Sequence, residues 1–174
     1  MLIKLKLPLV FLICLTAAAS DRQAVFGRWA DDRTILEISE GQAGLSAKVV
    51  AIKDPVYTRE ENLGVPGQPR VDLSNPDAAL RDRPLLGLDL LTDYEFADGK
   101  WQGRIYDPES GKTYSSYMKI DKGLLTMRGY IGLPLLGRTA EFVPVNSCTD
   151  LIVEMLRIAQ LFGNCGLEQQ TTSP

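Results

Sequence analysis

Two arginines in the middle of the chain are the first side chains with a clear chemical use. Arg81 and Arg83 stand close together in the run R-D-R-P, and two guanidinium groups could bind an anionic group through paired hydrogen bonds. The same arginines could instead pair with Asp72, Asp77 or Asp107 and anchor the surrounding loop. The sequence leaves both interpretations open.

A tyrosine and a carboxylate are adjacent further along, at Tyr106 and Asp107, immediately before Pro108. Such a pair could carry out acid–base chemistry. An aspartate before a proline is also an ordinary way to start a turn, which is the alternative interpretation. Tyr130 belongs to a set of tyrosines in predicted strands that could line a pocket. The candidate ligand-binding residues are therefore Arg81, Arg83, Tyr106, Asp107 and Tyr130.

The chain contains no histidine. This composition excludes Ser-His-Asp and Cys-His mechanisms, and it removes the imidazole ligands on which most zinc and iron sites depend. We expect no metal, no cofactor and no catalytic residue, and we favour a protein that is not an enzyme. A hydrolase that uses carboxylates is a less favoured alternative, since such residues need no motif.

The elements that must position these side chains fit into one domain. The chain has 174 residues, of which 45% are apolar and 24% charged, so it can bury a core and is unlike a disordered protein. The net charge is −3, and basic residues are not clustered outside the N-terminus. This charge pattern argues against nucleic-acid binding.

Residues 1–20 have the composition of a signal peptide. Lys4 and Lys6 precede an apolar run over residues 7–15, and small residues follow up to Ser20. The run is too short for an ordinary transmembrane helix. We therefore expect an exported protein, periplasmic or secreted, with no transmembrane segment after cleavage. Loss of the two lysines would leave 17 basic against 22 acidic residues, a net charge of −5.

Short stretches of alternating apolar and polar residues, separated by turn residues, predict an all-β fold. The hairpin signal Asp98-Gly99 separates two of these stretches. The pattern predicts an eight-stranded antiparallel up-and-down barrel. In the fourth strand one face would hold Leu88, Leu90, Thr92, Tyr94 and Phe96. The predicted strands are 26–30, 34–39, 45–53, 88–96, 100–106, 112–120, 124–131 and 137–145.

A long excursion over residues 54–84 interrupts the strand pattern. It contains five prolines, and long loops in compact domains are often functional. One helical turn is predicted within it, with Asn75 as the N-cap and Pro76 at the first helical position. We expect any ligand site to lie where this loop meets the end of the barrel.

The last part of the chain changes to a helical pattern, with apolar residues on one face of a helix over residues 149–162. The predicted organisation is a signal peptide at 1–20, a β-barrel domain at 21–147, and a C-terminal helix and tail at 148–174. Cys148 and Cys165 could form a disulfide in an exported protein. A helix of this length is about 20 Å long, whereas a disulfide requires Cα atoms within about 7 Å. Either the helix is shorter and the bridge forms, or the thiols stay free or pair between molecules.

Three motifs follow one another in the middle of the chain. They are N-P-D-A-A-L-R-D-R-P-L-L-G-L at 75–88, G-R-I-Y-D-P-E-S-G-K-T-Y at 103–114 and R-G-Y-I-G-L-P-L-L-G-R-T at 128–139. With G-R-W at 27–29, the chain resembles the bacterial family catalogued as domain of unknown function 2147 over residues 25–145. Members look like small exported proteins without an established activity, so the resemblance implies fold and location more than function.

A tryptophan on the first strand and an arginine on the last carry a second resemblance. Gly27 and Trp29 form a G-x-W string, and Arg138 lies on the eighth strand. This arrangement is similar to that of lipocalin-like barrels, in which the arginine packs over the tryptophan and closes one end. The resemblance implies that Gly27, Trp29 and Arg138 form a structural plug through a cation–π contact.

These patterns favour an exported, non-enzymatic barrel that binds a small apolar or lipid-like ligand. The alternative is an interaction or structural protein of the cell envelope that acts through its C-terminal helix. Nine of the twelve residues at 151–162 are apolar, so part of that helix could dock on a protein partner or a membrane surface.

Overall fold

Eight strands follow one another in the computed structural model, which describes residues 22–41 and 44–145. They are β1 Gly27–Ala30, β2 Thr34–Gly41, β3 Gly44–Ile52, β4 Leu91–Ala97, β5 Lys100–Asp107, β6 Lys112–Asp121, β7 Leu124–Tyr130 and β8 Arg138–Pro144. Their order in the sheet is β3-β2-β1-β8-β7-β6-β5-β4, and each pair is antiparallel. The sheet curls into a nearly closed barrel, which confirms the predicted eight-stranded antiparallel barrel.

Left-handed turn residues explain two of the hairpins. The φ angles are +53° at Asp98 and +70° at Gly99, and +51° at Lys122 and +82° at Gly123. Two consecutive residues with positive φ form a tight turn whose twist matches that of a hairpin. The local sequence thus sets the β4–β5 and β6–β7 connections, and strand alternation then places every second side chain inside the barrel.

The barrel closes between β3 and the chain just before β4. Leu90 N donates to Ala47 O at 3.0 Å, in the manner of a short sheet ladder. The Asp89 carboxylate takes the neighbouring positions: Oδ1 accepts from Ala47 N at 2.9 Å, and Oδ2 accepts from Ser46 Oγ at 2.6 Å. The barrel is therefore closed partly by backbone hydrogen bonds and partly by the Asp89 side chain.

The fourth strand begins at Leu91, later than predicted. The β4–β5 register shifts between Thr92 and Glu95, and Asp93 has a φ of +55°. As a result Leu91 is buried and Thr92 is exposed, so the predicted single apolar face of this strand was wrong. The reason is that residues 88–90 pair with β3 before the chain bends into β4.

Two tryptophans close one end of the barrel. Trp29 Nε1 donates to Val25 O at 2.8 Å, and Trp101 Nε1 donates to Arg22 O at 3.0 Å. The Arg22 guanidinium also lies over the Trp101 ring, 5.2 Å from its centre. The segment from Arg22 to Val25 therefore packs across this end of the barrel and closes it. The buried core at this end also includes Ile38, Met118 and Leu125.

The predicted plug of Trp29 by Arg138 was wrong. Trp29 pairs with Pro144 of β8, whereas Arg138 is the first residue of that strand. At about 3.4 Å per residue the two positions are roughly 20 Å apart, so Arg138 lies at the opposite end of the barrel. The cation–π contact at the closed end is made by Arg22, over Trp101.

Residues 54–84 form an ordered segment on the outside of the barrel. Isolated bridges join Val56 to Pro69 and Val71 to Pro84, so the segment folds back on itself twice. These short pairings satisfy backbone groups that a loop of this length would otherwise leave to solvent.

The helical turn of this segment is a 3₁₀ helix over Ala78–Leu80. Its N-cap is Asp77, whose carboxylate accepts a hydrogen bond from Ala79 N at 2.9 Å. Asn75, the predicted N-cap, is instead buried, and its side chain Oδ1 accepts from Asp77 N at 2.9 Å. The turn therefore starts later than predicted because Asn75 is used elsewhere.

Several predicted features lie outside the described residues. They are the signal peptide at 1–20, the C-terminal helix over 149–162, and the pair Cys148 and Cys165. Within 22–41 and 44–145, no helix has the length and apolar character needed to span a bilayer.

Candidate functional site

The end of the barrel opposite the tryptophans is open and contains a cavity of about 1060 Å³. This volume is slightly above the roughly 300–1,000 Å³ typical of small-molecule sites. The side chains of its floor are apolar. Leu36, Leu90, Met127 and Phe142 are buried, and Ile105 is partly buried. The strand ends and turns give a polar rim with Asp31, Thr34, Asp107, Glu109, Ser110, Tyr114, Tyr130, Arg138 and Thr139.

The cavity exists because inward positions near this end carry small side chains. Gly129 and Ala140 line it on β7 and β8, and Ala140 lies opposite Met127 in the strand pair. Nearer the closed end, the next inward pair on the same strands is Leu125 and Phe142. Large inward side chains therefore fill one half of the barrel, and small inward side chains leave the other half hollow.

An ion pair joins two turns of the rim. Arg33 Nη2 in the β1–β2 turn lies 2.5 Å from Glu109 Oε1 in the β5–β6 turn. Asp107 starts the second of these turns and accepts hydrogen bonds from Glu109 N at 3.0 Å and Ser110 Oγ at 2.6 Å. Asp107 therefore lines the cavity, as predicted for a ligand-binding residue, and also caps the turn, as in the alternative interpretation.

A loop over residues 131–137, here called the mouth loop, forms another part of the rim. Arg128 supports it from β7: Nε donates to Pro134 O at 2.7 Å, and Nη2 donates to Leu135 O at 3.0 Å. These bonds satisfy carbonyl groups of the short 3₁₀ helix at Pro134–Leu136. The loop is therefore held in one shape by a charged side chain beneath it.

Tyr130 and Arg138 flank the mouth loop, and both line the cavity. Tyr130 was among the predicted ligand-binding residues, whereas Arg138 was expected at the other end. Arg138 is exposed, and within the described residues no carboxylate lies within 4.0 Å of its guanidinium. It is therefore a cation at the cavity opening whose charge no described acid neutralises.

The remaining predicted ligand-binding residues, Arg81, Arg83 and Tyr106, are engaged outside the described cavity lining. Tyr106 lies between two cavity-lining residues of β5, so its side chain points to the outer face of the barrel. There the buried Asp72 accepts from Tyr106 OH at 2.7 Å and from Arg83 Nη2 at 2.7 Å. Arg81 Nε donates to Asn75 O at 2.8 Å. Tyr106 thus has Asp72, not Asp107, as its carboxylate partner.

We call Asp72, Asn75, Arg83 and Tyr106 the anchor cluster. Burial acts to raise the pKa of Asp72, but hydrogen bonds from Asn75, Tyr106 and Arg83 outweigh it and lower that pKa below its ordinary value. Burial, together with the hydrogen bond to Asp72, raises the pKa of Tyr106. At neutral pH the carboxylate is ionised and the phenol protonated, so each group stabilises the state of the other. This geometry is that of a loop anchor.

The 54–84 segment also contacts the rim from outside. Gly111 in the β5–β6 turn has a φ of +66°, and a Cβ there would lie only 1.8 Å from Ser74 O. Only glycine can combine this conformation with so close a contact. The segment supports the same end of the barrel that holds the cavity, but the described lining comes from strand ends and turns. The cavity is thus at the end of the barrel where a site was predicted, and Asp107 and Tyr130 are the predicted residues that line it.

Residues 27–143 match the family model described as an uncharacterized protein conserved in bacteria (DUF2147). The chain belongs to this family. The match confirms the resemblance that the three sequence motifs carried. No curated protein matches the chain.

The DUF2147 chain is also similar to a solved structure, protein HP1028 from the human pathogen Helicobacter pylori, which is described as belonging to the lipocalin family. The TM-score is 0.53 at 18% sequence identity, and the match covers 76% of this chain and 85% of that chain. At this identity the likeness concerns the fold alone. It confirms the predicted lipocalin-like barrel.

The cavity of this DUF2147 barrel consists largely of residues that the sequence did not single out, such as Leu36, Ala140 and Phe142. One signal was present in β8, where the inward positions are Arg138, Ala140 and Phe142. The polar Arg138 lies at the rim, the small Ala140 leaves space, and the large Phe142 forms part of the floor. Recognising the order requires knowing which face of β8 is inward, which the alternation alone does not give.

The cavity offers apolar contacts at its floor and hydrogen-bonding groups at its rim. Within the described part of the chain, no three side chains among His, Cys, Asp and Glu are grouped so as to hold a metal ion.

Proposed function

We propose that this protein binds a small molecule with an apolar body in the open end of its barrel, with the polar end of the molecule at the rim. The observation that carries the proposal is the cavity of about 1060 Å³ with its apolar floor and polar rim. Burying an apolar ligand there would remove about 25 cal/mol per Å² of apolar surface from water, which is the main source of affinity for a lipid-like molecule.

The proposed ligand is a fatty acid or a similar single-chain amphiphile with an anionic head. Arg138 supports this choice because its guanidinium stands at the opening without a carboxylate partner among the described residues. Tyr114 and Tyr130 also line the cavity. They could donate further hydrogen bonds to a carboxylate or phosphate head.

The protein would meet this ligand outside the cytoplasm. The support is the signal-peptide composition of residues 1–20, with two lysines, a short apolar run and small residues before residue 21. A periplasmic or secreted barrel would carry or hold amphiphiles that are poorly soluble in the aqueous space around it.

The test is to fill the cavity. Ala140→Trp introduces a large ring at an inward position of β8, and Val143→Trp places the same ring on the outer face of the same strand. We expect cis-parinaric acid, a fluorescent fatty acid, to bind the parent chain and the Val143→Trp protein alike. The Ala140→Trp protein should bind it at least about tenfold more weakly, because a loss of 1.4 kcal/mol is already tenfold. Unfolding midpoints check that both variants are folded.

A second arm addresses the head group. Arg138→Gln should weaken binding of cis-parinaric acid and leave binding of its methyl ester unchanged, because only the acid carries a charge for the guanidinium to attract. Equal binding of the fatty acid to the parent and Ala140→Trp proteins would contradict the cavity as the site. An equal loss for acid and ester in Arg138→Gln would contradict the role given to the arginine.

A further inference from the structure

The mouth loop exposes four large aliphatic side chains beside the cavity. Their exposed fractions are 71% for Ile131, 66% for Leu133, 85% for Leu135 and 77% for Leu136. Single exposed aliphatic residues are common in soluble proteins, but a contiguous group of this size indicates a contact with another apolar phase. Nothing in the barrel requires these residues, since all four lie outside the buried core.

The loop presents these side chains in a fixed arrangement. Arg128 donates hydrogen bonds to two of its carbonyl groups, at Pro134 and Leu135. A Cβ at Gly137 would lie 2.5 Å from Gly129 O, so the C-terminal end of the loop packs directly on the β7 backbone. An apolar surface that is ordered before it meets its partner loses less conformational entropy on contact.

The charges that flank the loop along the chain favour one kind of partner. The stretch from Arg128 to Arg138 contains two arginines and no acidic residue. Neither guanidinium has a carboxylate within 4.0 Å among the described residues. Leucines flanked by unneutralised cations match a surface whose interior is apolar and whose exterior is anionic, which describes a bilayer containing anionic lipids.

The loop is also continuous with the cavity. Ile131 and Leu136 line the cavity, whereas Leu133 and Leu135 do not. The apolar surface of the cavity therefore continues over its edge to two exposed leucines that are not part of the cavity lining. A bilayer in contact with those two leucines would lie directly at the opening.

We propose that the mouth loop docks this protein on the surface of an anionic lipid bilayer, with Leu133 and Leu135 inserted among the lipids and the cavity opening facing the membrane. Docking requires only the loop and its arginines. The further step, in which an amphiphile passes between bilayer and cavity without crossing water, depends on the proposed function.

The first measurement is partitioning onto vesicles of phosphatidylethanolamine and phosphatidylglycerol, followed by sedimentation. Leu133→Ser with Leu135→Ser removes two exposed leucines that lie outside the cavity lining. The matched control is Leu63→Ser with Val65→Ser, because these residues are 64% and 66% exposed in the 54–84 segment. We expect the loop variant to lower the partition coefficient by about tenfold or more and the control to leave it unchanged.

The second measurement tests whether the mouth loop itself inserts into the lipid, independently of any contribution that the rest of the chain makes to vesicle binding. Leu135→Trp places an indole on the loop, and Val65→Trp places one on the control segment. Trp29 and Trp101 are only 6% and 2% exposed, so quenchers in the lipid should reach them poorly. With brominated phosphatidylglycerol in the vesicles, the Leu135→Trp fluorescence should be quenched and the Val65→Trp fluorescence should not.

The outcomes separate docking from ligand binding. An unquenched Leu135→Trp protein on vesicles, equal losses in the loop and control variants, or no vesicle binding at all would each overturn the docking proposal. Because Leu133 and Leu135 do not line the cavity, the Leu133→Ser, Leu135→Ser protein should still bind cis-parinaric acid in solution. A variant that binds the fatty acid but not the vesicles supports docking by the loop, and failure of the parent chain to bind the fatty acid contradicts only the proposed function.

Discussion

The two ends of the barrel are built from the same strands and differ in what fills them. At the closed end, Trp29 and Trp101 are buried, and each donates its ring N–H to a backbone carbonyl of the chain folded beneath the barrel. At the open end, the inward positions include Gly129 and Ala140, and a cavity replaces the core. Strand pairing is continuous across both halves. The difference shows that side-chain size, and not the backbone, decides where this barrel is solid.

The comparison also separates stability from function within one small domain. A filled end contributes dispersion and burial energy, whereas a hollow end forgoes both. A hollow end must therefore be supported from outside. In this molecule the support comes from the anchor cluster and from the contact between Gly111 and Ser74.

Two methionines test the difference most directly. Met118 is fully buried in the closed half, and Met127 borders the cavity. We expect Met118→Ala to lower the free energy of unfolding within the range of about 2–5 kcal/mol for core truncations. Met127→Ala should cost less, about 1–2 kcal/mol, because its removal enlarges an existing space that solvent can enter. Urea denaturation measures both.

Equal costs for the two methionine variants would mean that the cavity end is as tightly packed as the closed end. Such a result would contradict the hollow description on which the proposed function depends. The fatty-acid probe provides a second measurement on the same proteins, since only Met127→Ala should change its affinity.

The anchor cluster should have the next largest effect. Asp72→Asn removes the charge that Arg83 and Tyr106 contact, and we expect it to cost about 2–3 kcal/mol, less than a fully buried pair because Arg83 is 34% exposed. Hydrogen exchange should show faster opening in residues 54–84 and in the β5–β6 turn, with the strands around Trp101 unchanged. Uniform destabilisation across the barrel would contradict a local anchor.

The same carboxylate predicts a pH dependence. Its pKa is lower in the folded than in the unfolded protein, so its contribution is complete above the unfolded value of about 3.9 and is lost as pH falls through the folded value. Below about pH 4 the parent chain should lose stability more steeply than Asp72→Asn. Unfolding midpoints across this range measure the two slopes, and parallel slopes would contradict the lowered pKa.

The rim ion pair should have the smallest effect on stability. Arg33 and Glu109 are 66% and 69% exposed, so Glu109→Gln should change the unfolding free energy by less than about 1 kcal/mol. The pair joins two turns beside the opening, so we expect its loss to speed the entry and release of cis-parinaric acid. Stopped-flow fluorescence tests this, and unchanged rates would show that the pair does not restrict the opening.

The strands were predictable because residues close to each strand end in the sequence form the turns that terminate it. Pairs of consecutive residues with positive φ, such as Asp98-Gly99 and Lys122-Gly123, stop and reverse the chain in tight hairpins. The fourth strand was placed too early because residues 88–90 have a strand pattern but pair with β3 to close the barrel. Local pattern cannot show which partner a strand segment will find.

The site was less predictable because it depends on register. Arg138 was assigned to Trp29 through a likeness of motifs, but strand register places it at the far end of β8. Arg83 and Tyr106 were recognised as functional candidates from their chemistry, yet they face outward onto Asp72. Only Tyr130 and Asp107 of the predicted ligand-binding residues reach the cavity. A shift of one residue reverses the inward and outward faces of a strand. Alternation alone did not show which face of β5 or β8 is inward.

The Asp89 carboxylate at the barrel seam has a consequence for the behaviour of this protein among its own copies. An incomplete ladder leaves backbone donors at a strand edge, and such edges can recruit strands from other molecules and start aggregation. Here the carboxylate accepts the Ala47 N–H and the Ser46 hydroxyl, and it places a negative charge at the same point. An incoming strand would have to displace an existing acceptor and approach a charge, so one side chain both closes the barrel and protects it against edge-to-edge polymerisation.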